Sequence, residues 1–246
     1  PDLSKEQVTR SFAIPALRGK SKFIAVPTTA GSGSEMSSAA VFQFDKNDHK
    51  RFAVSHDFLP DIAVLDPSFI IDLSRSVKIN GAFDALAHSI EGYVSLFKNP
   101  NTQDLATIAI RKIFSNFEKY IDDTNEEAAY EILRAANYAG VVQNISVPGI
   151  GHAFSHAFAS YGVSHGFGCG SFLPLAMEFN SRDNTVRNLL DRLGLNSSTQ
   201  QLRCIATSAS LDADTGHEYL EQFFGVDRKT FAIFSGEPLS FDHKLP

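Results

Sequence analysis

The sequence has no tryptophan, two methionines and two cysteines, Cys169 and Cys204. Two cysteines do not make a disulfide framework, which sets aside the small secreted scaffolds and leaves a reducing cytoplasm as the default compartment. Basic excess is missing too: the formal net charge is −6, whereas a nucleic-acid partner calls for a positive footprint. No apolar run approaches the ~20 residues that cross a bilayer. Pro1-Asp2-Leu3-Ser4-Lys5-Glu6 is polar, without the basic-then-apolar start of a secretory signal. Internal repeats, low-complexity tracts and heptads are absent as well. What is there is a 246-residue chain, 43% hydrophobic and 20% charged, enough for one large core or two small ones. It starts on Pro rather than Met, and is expected to be a piece of something longer.

Phe23-Ile24-Ala25-Val26, halted by Pro27, and Ile62-Ala63-Val64-Leu65, halted by Asp66-Pro67, read as short buried strands. The first empties into Thr28-Thr29-Ala30-Gly31-Ser32-Gly33-Ser34-Glu35, where small hydroxyls and glycines let backbone N–H groups approach an anion closely. The same composition also suits a plain turn between strands. Ala39–Phe44 and Arg51–Val54 flank the polar stretch 45–50 as a hairpin does. His49 and His56 read as surface residues, and Lys50 as a solvated turn lysine. Beyond about Ile71-Asp72-Leu73 helical periods take over. They cover Gly81–Ser95, Asp104–Tyr120 (capped by Thr102 or Asp104), Glu126–Asn144, Phe172–Phe179 and Thr185–Leu195, with short helices from Ser197 onward. The expected organisation is therefore a strand-rich part over residues 1–72 and an all-helical part over 73–246.

Two groups of residues carry chemistry. Asp84 and His88 stand four apart in a helix-forming stretch, one turn above each other on one face. His152 and His156 repeat that spacing, and His165 follows within the same short region. Three imidazoles and a carboxylate converging on one point make a site for a divalent first-row metal. Five candidates exceed a tetrahedral set by one, so one of them is available for an outer or proton-carrying role. Glu91, one turn beyond His88, reads as a solvated helix position, and Cys169 as a small buried filler with thiolate ligation as the alternative. Spacing leaves the reaction open.

Three stretches together resemble the iron-containing (group III) alcohol dehydrogenases: Ala25–Glu35, Gly81–Glu91 and His152–Gly166, in family order, within a similarity running from about Lys22 to about Asn180. The resemblance implies a dehydroquinate-synthase-like architecture. In it residues 1–72 are the C-terminal part of an α/β dinucleotide-binding domain, residues 73–246 are a helical metal-binding domain, and the active site lies between them. Position by position, it implies Asp84, His88, His152 and His165 as metal ligands and His156 as a proton relay. It also implies Thr28, Thr29, Ala30, Gly31 and Ser32 as the loop touching the nucleotide, and Lys50 as a cofactor-binding lysine. The family's glycine-rich pyrophosphate turn is not found before Lys22, so the natural protein is expected to extend further at its N-terminus and to be active in that longer form.

On this resemblance the chain is an NAD- or NADP-dependent alcohol dehydrogenase or aldehyde reductase. Its metal, Fe²⁺ by family and Zn²⁺ by ligand chemistry, acts as a Lewis acid on the oxygen of a small alcohol or aldehyde. Phe154, Phe158 and Phe167 suggest an apolar wall, and exposed sheet edges suggest a homo-oligomer, a dimer. No nucleic-acid or membrane partner is expected. The alternatives are a metal-dependent lyase or cyclase of the dehydroquinate synthase type, a hydrolase using metal-bound hydroxide, and an inactive metal-binding fragment.

Overall fold

A computed structural model describes residues 21–42, 51–122, 124–158, 162–180 and 184–194. The strands come first and are short. β1 (Ile24–Ala25) pairs in parallel with β4 (Ile62–Ala63), and β2 (Ala39–Phe42) pairs antiparallel with β3 (Arg51–Val54), Ala39 opposite Val54 and Phe42 opposite Arg51. The hairpin expectation is met in its two strands, while the connection 43–50 lies outside the described residues.

The buried-strand expectation for Phe23–Val26 and Ile62–Leu65 is corrected. Phe23, Ile24, Val26, Ile62 and Val64 are 42–55% exposed. A parallel strand is buried when layers cover both of its faces. Here β1 and β4 pair with each other alone among the described strands, which leaves their side chains open.

Six α-helices follow among the described residues: α1 (Arg75–Val94), α2 (Pro100–Asp122), α3 (Glu126–Ser146), α4 (Ile150–Phe158), α5 (His165–Asn180) and α6 (Asn184–Leu193). α1 is the centre. It packs against α2, α3 and α5, and every residue from Ala82 to Tyr93 is buried. A helix enclosed on all sides is not amphipathic, so its core signal is composition, small and apolar throughout, rather than a stripe. α2 is the contrasting case. It is amphipathic, burying Ala106, Ala109, Ile110, Ile113, Phe117 and Tyr120 at helical spacing.

α2 also begins earlier than its apolar period. Asn99 Oδ1 accepts from Thr102 N–H (3.1 Å) and Thr102 Oγ1 accepts from Asn99 N–H (2.9 Å), with Pro100 inside the first turn. The cap is thus Asn99, with Thr102 as its reciprocal partner, and proline suits a first turn whose N–H groups have no helical acceptor. α3 is capped by Asn125, whose Oδ1 accepts from Ala128 N–H at 2.8 Å. α5 starts at His165, ahead of the expected Phe172. The helices expected beyond Ser197 lie outside the described residues.

The loop after β1 is seated on the helices by close backbone contact. A Cβ on Gly31 would stand 2.8 Å from Gly81 Cα of α1. Gly33 has φ +56°, and a Cβ there would stand 2.5 Å from both Ala136 O and Gly140 Cα of α3. Glu35, 4% exposed, accepts from Asn137 Nδ2 at 3.0 Å, and Gln143 Nε2 donates to Ser32 O at 2.6 Å. Gly33→Ala combines a left-handed backbone with overpacking against main chain that cannot rotate away. It is expected to cost about 2–4 kcal/mol, read as a shifted urea midpoint with an unchanged slope.

Candidate metal centre

α1 presents Asp84, His88 and Glu91 at i, i+4 and i+7, one stripe of a single face. All three are buried, at 7%, 4% and 2% exposure. α4 brings His152 against that stripe, and the start of α5 brings His165. Asp84 Oδ1 is 3.4 Å from His152 Nε2, 3.3 Å from His165 Nε2 and 3.9 Å from His88 Nδ1. The His88 and His152 rings stack with centroids 4.3 Å apart. His156 is exposed, its ring centroid 4.9 Å from that of His165. The sequence-predicted Asp84, His88, His152 and His165 are therefore brought together, with His156 at the solvent edge.

Glu91 corrects the expectation of a solvated position. Its carboxylate is enclosed and accepts from Gly149 N–H (2.9 Å), Gly151 N–H (2.6 Å) and His152 Nδ1–H (2.5 Å). One side chain thus ties down the start of α4 and assigns the His152 proton to Nδ1, which turns the Nε2 lone pair towards Asp84. Helix α3 exits through Val147, at φ +64°, to bring Gly149 within reach of that carboxylate. A β-branched residue rarely adopts this backbone, and such strain concentrates at functional sites.

Ser155 does for His165 what Glu91 does for His152. Its hydroxyl donates to His165 O at 2.8 Å, so Oγ is left to accept from His165 Nδ1–H at 3.1 Å. Ser164 Oγ meanwhile donates to Asn80 Oδ1 at 2.7 Å, anchoring the start of α5 to α1. Sequence reasoning passed over Ser155 and misjudged Glu91, although both repeat a ligand's helical spacing: Ser155 three residues after His152, Glu91 three after His88.

The electrostatics are those of a shared, enclosed charge. Burial disfavours the Asp84 carboxylate, yet His88, His152 and His165 around it hold its pKa well below the ordinary range. Burial pushes His88 down to about 4, against the pull of Asp84. Burial also opposes the His165 imidazolium, but Asp84 and Cys169 prevail and lift it to about 9. His152 rises likewise, burial outweighed by Asp84, Cys169 and Glu91. Protons and a divalent cation compete for these same lone pairs.

The predicted cofactor loop splits in two. Ala30 and Gly31 are buried against α1, whereas Thr28, Thr29 and Ser32 face solvent. Gly81, which Gly31 touches, precedes Asp84 by three residues, about 4.5 Å along the helix axis. Lys50 lies outside the described residues. Of the predicted apolar wall, Phe154 is 44% exposed and packs on Phe172, ring centroids 5.2 Å apart, and Phe167 is half-buried.

Family comparison fits this geometry. Residues 78–222 match the C-terminal model of the Fe-containing alcohol dehydrogenase family, and residues 4–67 match the iron-containing alcohol dehydrogenase model. The chain belongs to the iron-containing alcohol dehydrogenase family. Among relatives, it is 30% identical over 189 residues to the NADPH-dependent butanol dehydrogenase of Clostridium saccharobutylicum, covering 76% of this chain and 48% of that one. It is 28% identical over 215 residues to an aldehyde-alcohol dehydrogenase of Streptococcus pneumoniae, covering 87% of this chain and 24% of that one. The fold matches the iron-containing alcohol dehydrogenase of Thermococcus thioreducens with a TM-score of 0.76 at 29% identity, over 94% of this chain and 61% of that one. This member of the family thus spans about half or less of the length of these two sequence relatives. Among its described residues no helix is long and apolar enough to cross a membrane.

Proposed function

We propose that the protein is an NAD(P)-dependent alcohol dehydrogenase or aldehyde reductase acting on a small alcohol or aldehyde, with a divalent metal held by Asp84, His88, His152 and His165. One observation carries the reading. Asp84 Oδ1, His88 Nδ1 and His152 Nε2 are buried side-chain atoms without a hydrogen-bond partner, and they belong to three residues gathered around one carboxylate. Orphaned buried polar atoms are costly, and a cluster of them with lone pairs is the donor set of a cation. Fe²⁺ is the family's metal and Zn²⁺ suits the same donors. Held there, a divalent cation would supply Lewis-acid polarisation of the substrate oxygen, and a bound nicotinamide would supply or accept the hydride.

The chain's own groups do the rest. Glu91 and Ser155 keep the Nε2 atoms of His152 and His165 turned inward, and Asp84 contributes the negative charge. His156, on the exposed side of His165, passes the alcohol proton to solvent. The loop Thr28–Ser32 meets the nucleotide: its buried half is fixed to α1 near Asp84, and its Thr28, Thr29 and Ser32 backbone and hydroxyls remain accessible. Lys50 is the further nucleotide contact. The NADPH dependence of the butanol dehydrogenase relative supports a nicotinamide without choosing between its two forms here. The reading includes a dehydroquinate-synthase-like division into residues 1–72, nucleotide side, and 73–246, metal side. It also includes a cytoplasmic homodimer.

The test is nicotinamide absorbance with an alcohol and aldehyde panel, with and without added metal. No turnover with either nicotinamide under any metal would overturn the reading. His156→Ala is expected to keep wild-type metal content while turnover falls about 10²–10⁴-fold, the usual contribution of a positioned proton carrier. Metal lost from this variant would instead make His156 a ligand.

A further inference from the structure

α5 carries a second donor on the face that presents His165. Cys169 lies one turn further along, is fully buried, and is a free thiol with Sγ 3.7 Å from His165 Nε2. Its sulfur, a carboxylate oxygen of Asp84 and one ring nitrogen each of His152 and His165 all lie within 4.8 Å of one another. A tetrahedral ion at metal–ligand distances of about 2.0–2.3 Å sets its donors about 3.3–3.8 Å apart, so these four atoms need to close in by no more than about 1–1.5 Å to hold one.

A cysteine that only fills space needs apolar neighbours. Cys169 has those on its core side, but its sulfur also faces Asp84 and His152, whose Oδ1 and Nε2 are buried and unpartnered, with side chains 9% and 3% exposed. We propose that Cys169 is itself a metal donor, binding through sulfur the ion that Asp84, His152 and His165 hold, and giving up its thiol proton to solvent as the ion enters. Sulfur in the set shifts the preference towards Zn²⁺, Co²⁺ and Cd²⁺, ions that accept thiolate together with imidazole. This rests on the metal reading above.

Cobalt distinguishes the two. The protein is stripped with a chelator, loaded with Co²⁺, and its absorption spectrum recorded for wild type, Cys169→Ser, Cys169→Ala and Cys204→Ser. The visible bands report a bound cobalt ion, and an intense near-ultraviolet sulfur-to-cobalt band reports thiolate ligation. The expected result is both signals in wild type and Cys204→Ser, with the near-ultraviolet band lost in both Cys169 variants. Cd²⁺ affinity is expected to fall in the Cys169 variants by more than the ~10–100-fold that loss of an outer partner alone produces. Visible bands without the sulfur band in wild type would overturn the sulfur donor and leave the metal reading standing. So would a sulfur band that disappears with Cys204 and survives in the Cys169 variants. No cobalt spectrum in wild type would overturn the metal reading, and the sulfur donor with it. The wild-type spectrum decides whether sulfur is bound and Cys204→Ser decides which sulfur it is, so a Cys169 variant that fails to fold does not blunt the test.

Discussion

Asp84→Ala is expected to abolish tight metal binding while helical content is preserved. The reason is the position of one oxygen: Oδ1 lies 3.3–3.9 Å from ring nitrogens of His88, His152 and His165. Removing it takes away the one charge on which these imidazoles converge, so the loss of affinity should exceed the ~10–100-fold that a supporting partner is worth. Metal analysis of the purified variant against wild type measures it, and unchanged stoichiometry would remove Asp84 from the ligand set. Folding stability should change little. The carboxylate's burial is unfavourable, and without it the imidazoles can shed their protons and remain neutral. His165 should accordingly titrate well below its lifted value of about 9, a shift visible by NMR.

Glu91→Ala is expected to damage both the fold and the metal site. Gly151 N–H and His152 Nδ1–H are buried donors that lose their acceptor together, whereas Gly149 is exposed enough for water to replace it. Each stranded buried donor costs about 1–3 kcal/mol, and breaking a buried charged contact of this kind costs about 3–5 kcal/mol in total. With Nδ1 unpartnered, His152 is free to take the other tautomer, which puts a proton on Nε2 and closes that nitrogen to a cation. Metal affinity should therefore fall about 10–100-fold. Glu91→Gln keeps the volume and one acceptor oxygen but sets an amide N–H₂ against a donor, so it should lie between wild type and alanine. Urea denaturation and a metal titration on the same samples measure the two effects. An alanine variant as stable as wild type, with unchanged metal affinity, would show that Glu91 neither anchors α4 nor orients His152.

Asp84, His88 and the later histidines were legible in the sequence as candidate ligands because such a site calls for particular residue types at helical spacing, and that spacing is local. The same reasoning located α2 and α3, whose apolar periods and nearby cap residues are written into consecutive turns. It failed where burial decides. Glu91 looks like any acidic residue on a helix until α4 closes over it, because whether a carboxylate meets water or Gly151 N–H depends on an element sixty residues away. Ser155 is equally silent, and Cys169 reads as a buried filler with ligation only as the alternative: a hydroxyl and a thiol take no definite role until His165 stands beside them. The strands failed in the opposite direction. Phe23–Val26 has a buried strand's composition, but composition cannot say what lies against it.

The sequence by itself therefore placed most of α1, α2 and α3, the candidate donor residues and the small-residue loop, since each depends on neighbours within a few turns. Only the tertiary structure decided which donors meet. Asp84 is drawn to His152 and His165 because α1, enclosed on every side, serves as the common wall for α4 and α5, and its buried face has room for polar atoms only where they satisfy one another. It also decided that Glu91 and Ser155 hold the imidazoles and that Cys169 joins them. Those contacts arise from packing between helices, and packing is a property of three-dimensional distance that no spacing along the chain encodes.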